Sequence, residues 1–387
     1  MVLKGRSVQS HDGQQEPALP HVGARRGKIH VEVNQNNCFV RVLDVVINDG
    51  ADSPGALHAL LNQELGFEAT TGRGLTNHLP MALVAKAGLG APDEELYRFA
   101  ADYRDQLVPC SPPSSTLTRR NWQKSIGQSG SFDNFRDYFE RQIDQHGIET
   151  TVREHLDDLV PGIHGAGFHG AIRLAYALEV ASPSRVAAGI AYLAETAVSL
   201  GEIPAATHAT DDPAVVLDAM AASGQFTSLP SLRRISDEMQ QAVRVPQFFG
   251  LLVRCAITDT TADLLRLTAL RLFASSGDFT SLHAVTGMEA LSTLRPFAHD
   301  TRAFDASCLI GVAAAYATVG APRLASRDYL DELVATNVCG VSEISRAGAM
   351  SDDEHVAKLV YSSLRLYSDT RDDLYLAVAA RKVGLLP

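Results

Sequence analysis

The amino-acid sequence predicts an all-α fold, built as a single large domain of many helices. Three observations lead to this prediction. Apolar residues recur at three- and four-residue intervals along most of the chain, alanine and leucine are abundant in these segments, and no alternation of strands and helices follows them. The chain has 387 residues, of which 45% are hydrophobic, so it can bury a sizeable core. We therefore expect residues 36–387 to form one helical domain.

The N-terminal part of the chain differs from the rest. Residues 1–35 are polar and lack the apolar stretch of a secretory signal, so they are interpreted as a flexible extension. The segment CFVRVLDVVIND, residues 38–49, has the β-branched density of a strand. It leaves open a short strand pair near the N-terminus of an otherwise helical domain.

The helical pattern is clearest in three segments. PDEELYRFAADYRDQLV (92–108) places a proline in its first turn, SFDNFRDYFERQIDQHG (131–147) ends on a glycine, and TVREHLDDLVPGI (151–163) is interpreted as a helix that Pro161 ends. Further helices are predicted over 170–182, 184–200, 212–222, 231–243, 260–275, 279–295, 304–318, 353–367 and 372–382.

Charge and composition exclude several classes of partner. The formal net charge of −11 provides no basic field for a nucleic acid or an anionic membrane surface. No segment approaches the 18 consecutive apolar residues that indicate a membrane span. The five cysteines are dispersed without a C-x-x-C pair, which is typical of reduced thiols in a cytoplasmic protein. The sequence leaves open whether the protein forms a homodimer.

A glycine motif, G-x-G-x-x-G, occurs at Gly165, Gly167 and Gly170. In a dinucleotide-binding fold this motif follows a buried parallel strand and precedes an acidic residue that binds the ribose. Here the residues before it have a helical pattern, and the acidic Glu195 falls inside another helical pattern. The motif is therefore interpreted as a tight entry to a helix rather than a nucleotide site.

Histidines recur at or near predicted helix starts. His78 precedes a helix with a proline in its first turn, His164 and His169 precede another, and His283 shares a helical face with small residues. The positive end of a helix dipole disfavours imidazolium, so histidines there tend to be neutral, as a transition metal requires. His78, His169 and His355 meet this condition. Taken alone, each histidine is more typical of a hydrogen-bonded core or surface residue.

The segment SDDEHVAKLVYSSL, residues 351–364, combines a helix start with a histidine and a lysine. Ser351 and Glu354 are spaced as a capping box, which predicts the beginning of the helix. His355 and Lys358 are three residues apart and so are neighbours on one helical face. By default, Lys358 is interpreted as a solvated side chain at the edge of the apolar stripe.

Taken together, several segments resemble the questin oxidase-like family of redox enzymes from aromatic polyketide pathways. They are NHLPMAL with LGAPDEELYRFAADYRDQL (77–107), Trp122 with FDNFRDYF (132–139), GFHGAIRLAYALE (167–179), LHAVTGMEAL (282–291) and DDEHVAKLVYSSL (352–364). The resemblance implies an α-helical fold and the dioxygen-dependent oxidation of an anthraquinone- or hydroquinone-type polyketide, leading to cleavage of a C–C ring bond.

The resemblance also implies a non-haem ferrous iron, Fe(II), held by four histidines and a carboxylated lysine. The matching positions in this sequence are His78, His169, His283, His355 and Lys358. Burial would disfavour the ammonium form of the lysine, and a neutral amine can add carbon dioxide to give an oxygen donor. Some members of the family are described as Baeyer–Villiger-type enzymes supported by NADPH, so NADPH is a candidate reductant.

One helix departs from the family pattern. Arg173 and Tyr176 stand where some relatives have histidine, and His164 is the substitute if a ligand comes from that region. His164, Tyr176 and Arg173 are also the candidate catalytic residues, the first two as general acid or base. Trp122 and segment 132–139 could wall an aromatic substrate pocket, although ordinary core packing is favoured for them.

Two other functions stay open at this stage. The first is a metal-free Baeyer–Villiger monooxygenase supported by NADPH or a flavin, which the missing strand before the glycine motif disfavours. The second is a non-catalytic helical protein that binds a small aromatic ligand.

Overall fold

The computed structural model describes residues 54–205 and 209–386. Within these residues the protein is all-α, as the sequence predicts, and contains seventeen α-helices and no strand; extended backbone pairs only at three isolated bridges. The predicted extension 1–35, the strand pair proposed for residues 38–49 and the domain boundary at residue 36 lie outside the described residues.

The helices are numbered here in chain order. They are α1 (Pro54–Glu64), α2 (Leu79–Gly88), α3 (Asp93–Tyr103), α4 (Phe132–His146), α5 (Ile148–Leu159), α6 (His169–Glu179), α7 (Pro183–Thr196), α8 (Pro213–Ser223), α9 (Ile235–Ala242), α10 (Phe248–Leu252), α11 (Thr261–Ser276), α12 (Phe279–Leu294), α13 (Thr301–Thr318), α14 (Arg327–Thr336), α15 (Val341–Ala349), α16 (Glu354–Thr370) and α17 (Leu374–Lys382). No helix of the described residues combines the length and the apolar character needed to cross a bilayer.

Two helices, α6 and α12, form the centre of the core. Nearly every residue of α6 is buried, and α12 is buried from Thr280 to Leu291. A helix that is buried on all sides needs small residues where its neighbours approach. α6 supplies Gly170 and Ala171, and α12 supplies Ala284, Gly287 and Ala290. α6 therefore packs closely on α7 and α12, while α12 also packs on α11, α13 and α16.

Four helices of this core close into a ring of contacts. α2 packs on α6, α6 on α12, α12 on α16, and α16 on α2. Each of the four carries one of the sequence-predicted histidines in its first turns or immediately before it. The fold thereby brings residues 78, 169, 283 and 355, separated widely in sequence, to one place.

The helix predictions agree best where a proline, a capping residue or a glycine punctuates the sequence. α8, α11, α12 and α17 begin and end within two residues of the predicted bounds. Four helices were not anticipated: α1, α10, α14 and α15. α10 has only five residues, so its apolar pattern is too short to stand out.

Candidate metal centre

The four histidines form a closed ring of contacts that repeats the ring of helices. Successive imidazole centroids are 4.6 Å apart for His78–His169, 4.6 Å for His169–His283, 5.1 Å for His283–His355 and 4.6 Å for His355–His78. The Lys358 amine, Nζ, lies 3.2 Å from His78 Nδ1. We refer to these five residues as the histidine centre. One ring nitrogen each of His78, His169 and His355 can be chosen so that all lie within 4.8 Å of one another.

Hydrogen bonds determine which nitrogen of three of these rings carries the proton. His169 Nδ1 donates to the carbonyl of Ala166 at 2.5 Å, and His283 Nδ1 donates to the carbonyl of Phe279 at 2.7 Å. His355 Nδ1 donates to Asp353 Oδ1 at 3.1 Å. Because carbonyl and carboxylate oxygens only accept, the proton of each neutral ring lies on Nδ1 and the lone pair on Nε2.

The three Nε2 atoms are left without a partner. Those of His169, His283 and His355 are buried and make no hydrogen bond to any described residue. Buried polar atoms are almost always hydrogen-bonded, so three such orphans in one cluster require an explanation. A histidine that donates through Nδ1 and offers Nε2 as a lone pair is the usual arrangement of a metal ligand.

Burial keeps the histidines of the centre neutral. It lowers the pKa of His78, His169 and His283 well below the usual value, and the nearby Lys358 amine lowers each further. Burial also lowers the pKa of His355. The start of each helix presents the positive end of its dipole, which acts in the same direction. The rings therefore keep the lone pairs that a metal ion would use.

Lys358 is not the solvated side chain of the default interpretation. It is 1% exposed, and burial lowers the pKa of its amine from 10.5 to about 8. The default is wrong because α16 turns this face toward α2, where His78 and not water meets the amine. A lysine with this pKa is partly neutral near pH 7–8, and its neutral amine is nucleophilic.

The backbone before His169 is held in an uncommon conformation. Ala166, Gly167 and Phe168 have φ angles of 51°, 65° and 70°, and Phe168 stands directly before α6. Non-glycine residues rarely adopt this region, and such strain persists where the surroundings impose it. Here the Phe168 ring packs onto α12 so closely that a Cβ on Gly287 would lie 2.6 Å from it. The turn places the Ala166 carbonyl against His169.

The glycine motif serves packing, in agreement with the interpretation from sequence. A Cβ on Gly165 would lie 2.0 Å from the carbonyl oxygen of Thr196, and one on Gly170 would lie 2.9 Å from Leu193 Cα. The segment before the motif forms α5 and a 3₁₀ turn rather than a strand. The glycines allow α6 and its entry loop to approach α7.

Arg173 lies behind His78 in a buried network with Glu64 and Asn77. Its guanidinium pairs with Glu64 Oε1 at 2.8 Å and donates to the carbonyl of Asn77 at 3.2 Å. The Asn77 side chain donates to Glu64 Oε1 and accepts from the backbone N–H of Leu79. We refer to these three residues as the arginine network. Its geometry holds the loop that presents His78, and the catalytic role of Arg173 stays a prediction.

The other two catalytic candidates lie apart from the histidine centre. His164 is buried against Gly311 of α13, and burial lowers its pKa to about 4. Among the described residues its ring makes no contact with the other four histidines. Tyr176 packs against Tyr361 at 5.5 Å, two turns along α6 from His169. The structure thus does not bring either side chain to the ring, and their roles stay predictions.

The start of α16 differs from the predicted capping box. Asp353, not Ser351, is the capping residue, and its side chain accepts from the backbone N–H of His355. The carboxylate thereby serves both the helix end and the His355 ring. Ser351 lies in the preceding loop, where its carbonyl accepts from the buried Lys86 amine at 2.7 Å. An acid two residues before the histidine was the sequence signal for this role.

The aromatic residues considered as pocket walls belong to the core. Trp122 stacks with Tyr138 at 6.0 Å and meets Phe139 and His155 edge-on at 5.8 and 4.9 Å. All four are buried. Phe279, whose ring contacts two imidazoles of the histidine centre, is not among the residues predicted from the sequence. Its position four residues before His283 on a helix is the signal that would have found it.

An all-α fold with converging, neutral histidines and a buried lysine defines a candidate metalloprotein, and the comparisons define its family. The profile of the questin oxidase-like family matches residues 75–363, so this chain belongs to that family. A questin oxidase of Aspergillus terreus is 28% identical over 130 residues, covering 30% of this chain and 29% of that protein. The Baeyer–Villiger monooxygenase AacuH of Aspergillus aculeatus is 26% identical over 142 residues, 33% of this chain and 29% of that protein. The matched segments thus span under a third of either relative.

Proposed function

We propose that this protein is a ferrous-iron-dependent oxygenase that uses dioxygen to cleave a ring of an anthraquinone- or hydroquinone-type polyketide. The observation that carries the proposal is the set of three buried Nε2 lone pairs without a partner, on histidines held neutral and oriented by their Nδ1–H groups. Family membership and the names of the two relatives support an oxidative reaction.

The donor set fits ferrous iron. Imidazole nitrogen with a single oxygen donor is a ligand combination typical of non-haem iron, whereas a calcium or magnesium site would need several oxygens. His78, His169, His283 and His355 would supply the nitrogens. A neutral Lys358 amine can supply the oxygen. Its nitrogen bonds to the carbon of CO2, one C–O π bond opens to place its electron pair on oxygen, one N–H proton is released to solvent, and the product is a carbamate anion. The low pKa of about 8 supports this step.

Iron, when bound, would supply the activation of dioxygen. The protein's own residues prepare the environment. Asp353 and the carbonyls of Ala166 and Phe279 hold three rings with Nε2 inward. The arginine network holds the loop at His78, and burial excludes bulk water from His283. Four helix starts converge on the centre, and their dipoles favour negative charge there, including that of a carbamate.

A second function has one observation in its favour: one of the two relatives is named a Baeyer–Villiger monooxygenase. In that case a single oxygen atom is inserted next to a carbonyl carbon, and NADPH supplies the two electrons that reduce the other oxygen atom to water.

Labelled dioxygen separates the two functions. Protein loaded with Fe(II) is given a dihydroxyanthraquinone or its reduced form under ¹⁸O₂, with and without NADPH, and the product is analysed by mass spectrometry. We expect two labelled oxygen atoms in a ring-opened product and no need for stoichiometric NADPH. One labelled atom per product with one NADPH consumed would replace the proposal by the monooxygenase. No oxygen consumption with either iron or NADPH would contradict both.

A further inference from the structure

Phe279 is the aromatic residue at the outer edge of the histidine centre. Its ring meets the His283 ring at a centroid distance of 4.5 Å and the His355 ring at 4.6 Å, both edge-on. Although it makes these two contacts, the residue is 53% exposed. Scattered exposed hydrophobic residues are normal on a protein surface. Contact with two histidines of the centre is what distinguishes Phe279 from the others.

Exposure within the centre shows the side from which solvent reaches it. His283 is fully buried, whereas the His355 side chain is 13% exposed and the neighbouring Asp353 side chain is 53% exposed. Phe279 touches both His283 and His355, so it lies between the buried and the exposed members. A molecule that approaches the histidines from the His355 side therefore passes the exposed part of this ring.

The backbone and the side chain of Phe279 have separable roles. The carbonyl accepts the Nδ1–H of His283, and the preceding Asp278 caps α12 by accepting from Thr280 N–H. These interactions hold the helix start and the imidazole without the aromatic ring. Replacing the side chain while keeping the carbonyl thus tests the ring alone.

We propose that the Phe279 ring is the surface on which a planar, fused-ring aromatic substrate docks beside the histidine centre. This inference rests on the proposed function for its substrate class. A flat polycyclic ring can stack on, or meet edge-on, an exposed phenyl ring, and both arrangements are favourable. A saturated ketone offers no π face for the same contact. Phe279 therefore favours fused aromatic rings over aliphatic ketones.

The test measures equilibrium binding rather than turnover. Dissociation constants for a dihydroxyanthraquinone and for cyclohexanone are measured without oxygen, by calorimetry, on the 387-residue protein with and without Fe(II). For Phe279→Ala we expect anthraquinone binding about tenfold weaker, since an aromatic pair contributes roughly that much with its buried area. Phe279→Trp should bind within about twofold of the original protein, because it keeps a π face. Iron content should be unchanged in both variants.

A matched control is Val338→Ala, which trims another exposed hydrophobic side chain outside the helix starts of the centre. It should leave both dissociation constants unchanged. Equal anthraquinone binding in Phe279→Ala and the original protein would overturn the inference, as would equal weakening for cyclohexanone. Loss of iron in Phe279→Ala would also overturn it, because the ring would then be part of the metal centre.

The outcomes keep the two proposals apart. Anthraquinone binding that depends on Phe279 in a protein that binds no iron would support the docking surface and contradict the iron oxygenase. Iron binding without any anthraquinone binding would overturn the docking surface and leave the metal centre standing.

Discussion

Two buried polar clusters lie on either side of the loop that begins α2, and they differ in one respect. In the arginine network, Glu64 and Arg173 neutralise one another, and Asn77 is hydrogen-bonded through both its amide and its carbonyl group. In the histidine centre, three Nε2 lone pairs face no partner among the described residues. Both clusters lie in the core, with only His355 of the histidine centre partly exposed. Both bring together distant parts of the sequence, and both contact the segment Asn77–His78.

The difference indicates different purposes. A buried polar group without a hydrogen bond destabilises the fold by about 1–3 kcal/mol, whereas a satisfied network can hold a loop in place. We therefore interpret the arginine network as structural support for the loop that presents His78. The histidine centre keeps an energetic deficit in the free protein, and a metal ion would remove it. A substitution in the histidine centre should therefore affect iron binding, whereas a substitution in the arginine network should affect the stability of the fold.

Removal of a histidine of the centre should abolish iron binding. We expect His283→Ala to reduce Fe(II) binding by more than about 100-fold, since even partners of metal ligands contribute 10–100-fold. His164→Ala is the matched control, because His164 is also a buried histidine with an unpartnered Nε2 but lies outside the centre. Metal analysis after Fe(II) loading checks both. Iron lost from His164→Ala and kept by His283→Ala would contradict the assignment.

Removal of the arginine should destabilise the fold. In Arg173→Met the buried Glu64 carboxylate loses its counter-charge, and we expect the free energy of unfolding to fall by about 3–5 kcal/mol. Urea denaturation followed by circular dichroism measures this. The control is Arg119→Met, which breaks an exposed pair with Glu154 and should change stability by less than about 1 kcal/mol. If Arg173→Met keeps its stability but loses turnover, Arg173 is catalytic instead.

Loss of the Asp353 charge should weaken the metal site without unfolding α16. Asparagine caps a helix about as well as aspartate, so Asp353→Asn keeps the bond to the backbone of His355. The side-chain bond to His355 Nδ1 becomes neutral, and we expect Fe(II) affinity to fall about tenfold. Asp300→Asn makes the same change at the cap of α13 and should leave affinity unaltered. A competition titration against a chelator compares them, and equal affinities for both variants would show that Asp353 acts only as a cap.

A substitution in the strained turn before α6 should have the smallest effect on the free energy of unfolding. Ala166→Gly removes the cost of a positive φ angle and adds freedom to the unfolded chain, so we expect unfolding free energy to change by less than about 1 kcal/mol. The Ala166 carbonyl is retained, and iron content should be unchanged. Ala181→Gly, at another positive φ, is the control. Thermal and urea unfolding measure both; a loss of iron in Ala166→Gly alone would show that the methyl group fixes the turn.

The sequence predicts the helices of the histidine centre better than the tertiary contacts between them. Pro80, the glycine-rich entry to α6 and the acids before α16 indicate helix starts, and the positive end of a helix dipole favours neutral imidazole at His78, His169 and His355. Burial, the larger cause of their lowered pKa values, depends on packing that the local pattern does not show. His283 lies inside α12 and not at its cap. Its sequence signal is the set of small residues on the same helical face, which leave space for the imidazole. Spacing alone could not bring the four together, since the contacts α2–α6–α12–α16 are formed over nearly 280 residues of chain; the family resemblance did so.

Other parts of the site could not be predicted from local pattern. Arg173 is a catalytic candidate because it stands where some relatives have histidine, but its partner Glu64 is 109 residues away and no local pattern links the two. The spacing of Ser351 and Glu354 fits a capping box, yet Asp353 caps the helix, and the pattern cannot rank polar candidates two residues apart. The default interpretation of Lys358 as a solvated side chain is wrong because its solvation depends on which helix packs against α16. That helix, α2, is distant in sequence.

We expect the histidine centre to hold iron together with Lys358. The most direct measurement is the iron content of the protein purified without chelator and loaded with Fe(II) in bicarbonate buffer, beside Lys358→Ala and His169→Ala. We expect about one iron per chain for the original protein and almost none for either variant, with circular dichroism unchanged. An original protein that retains no iron after loading, or variants that retain as much as it does, would contradict the claim.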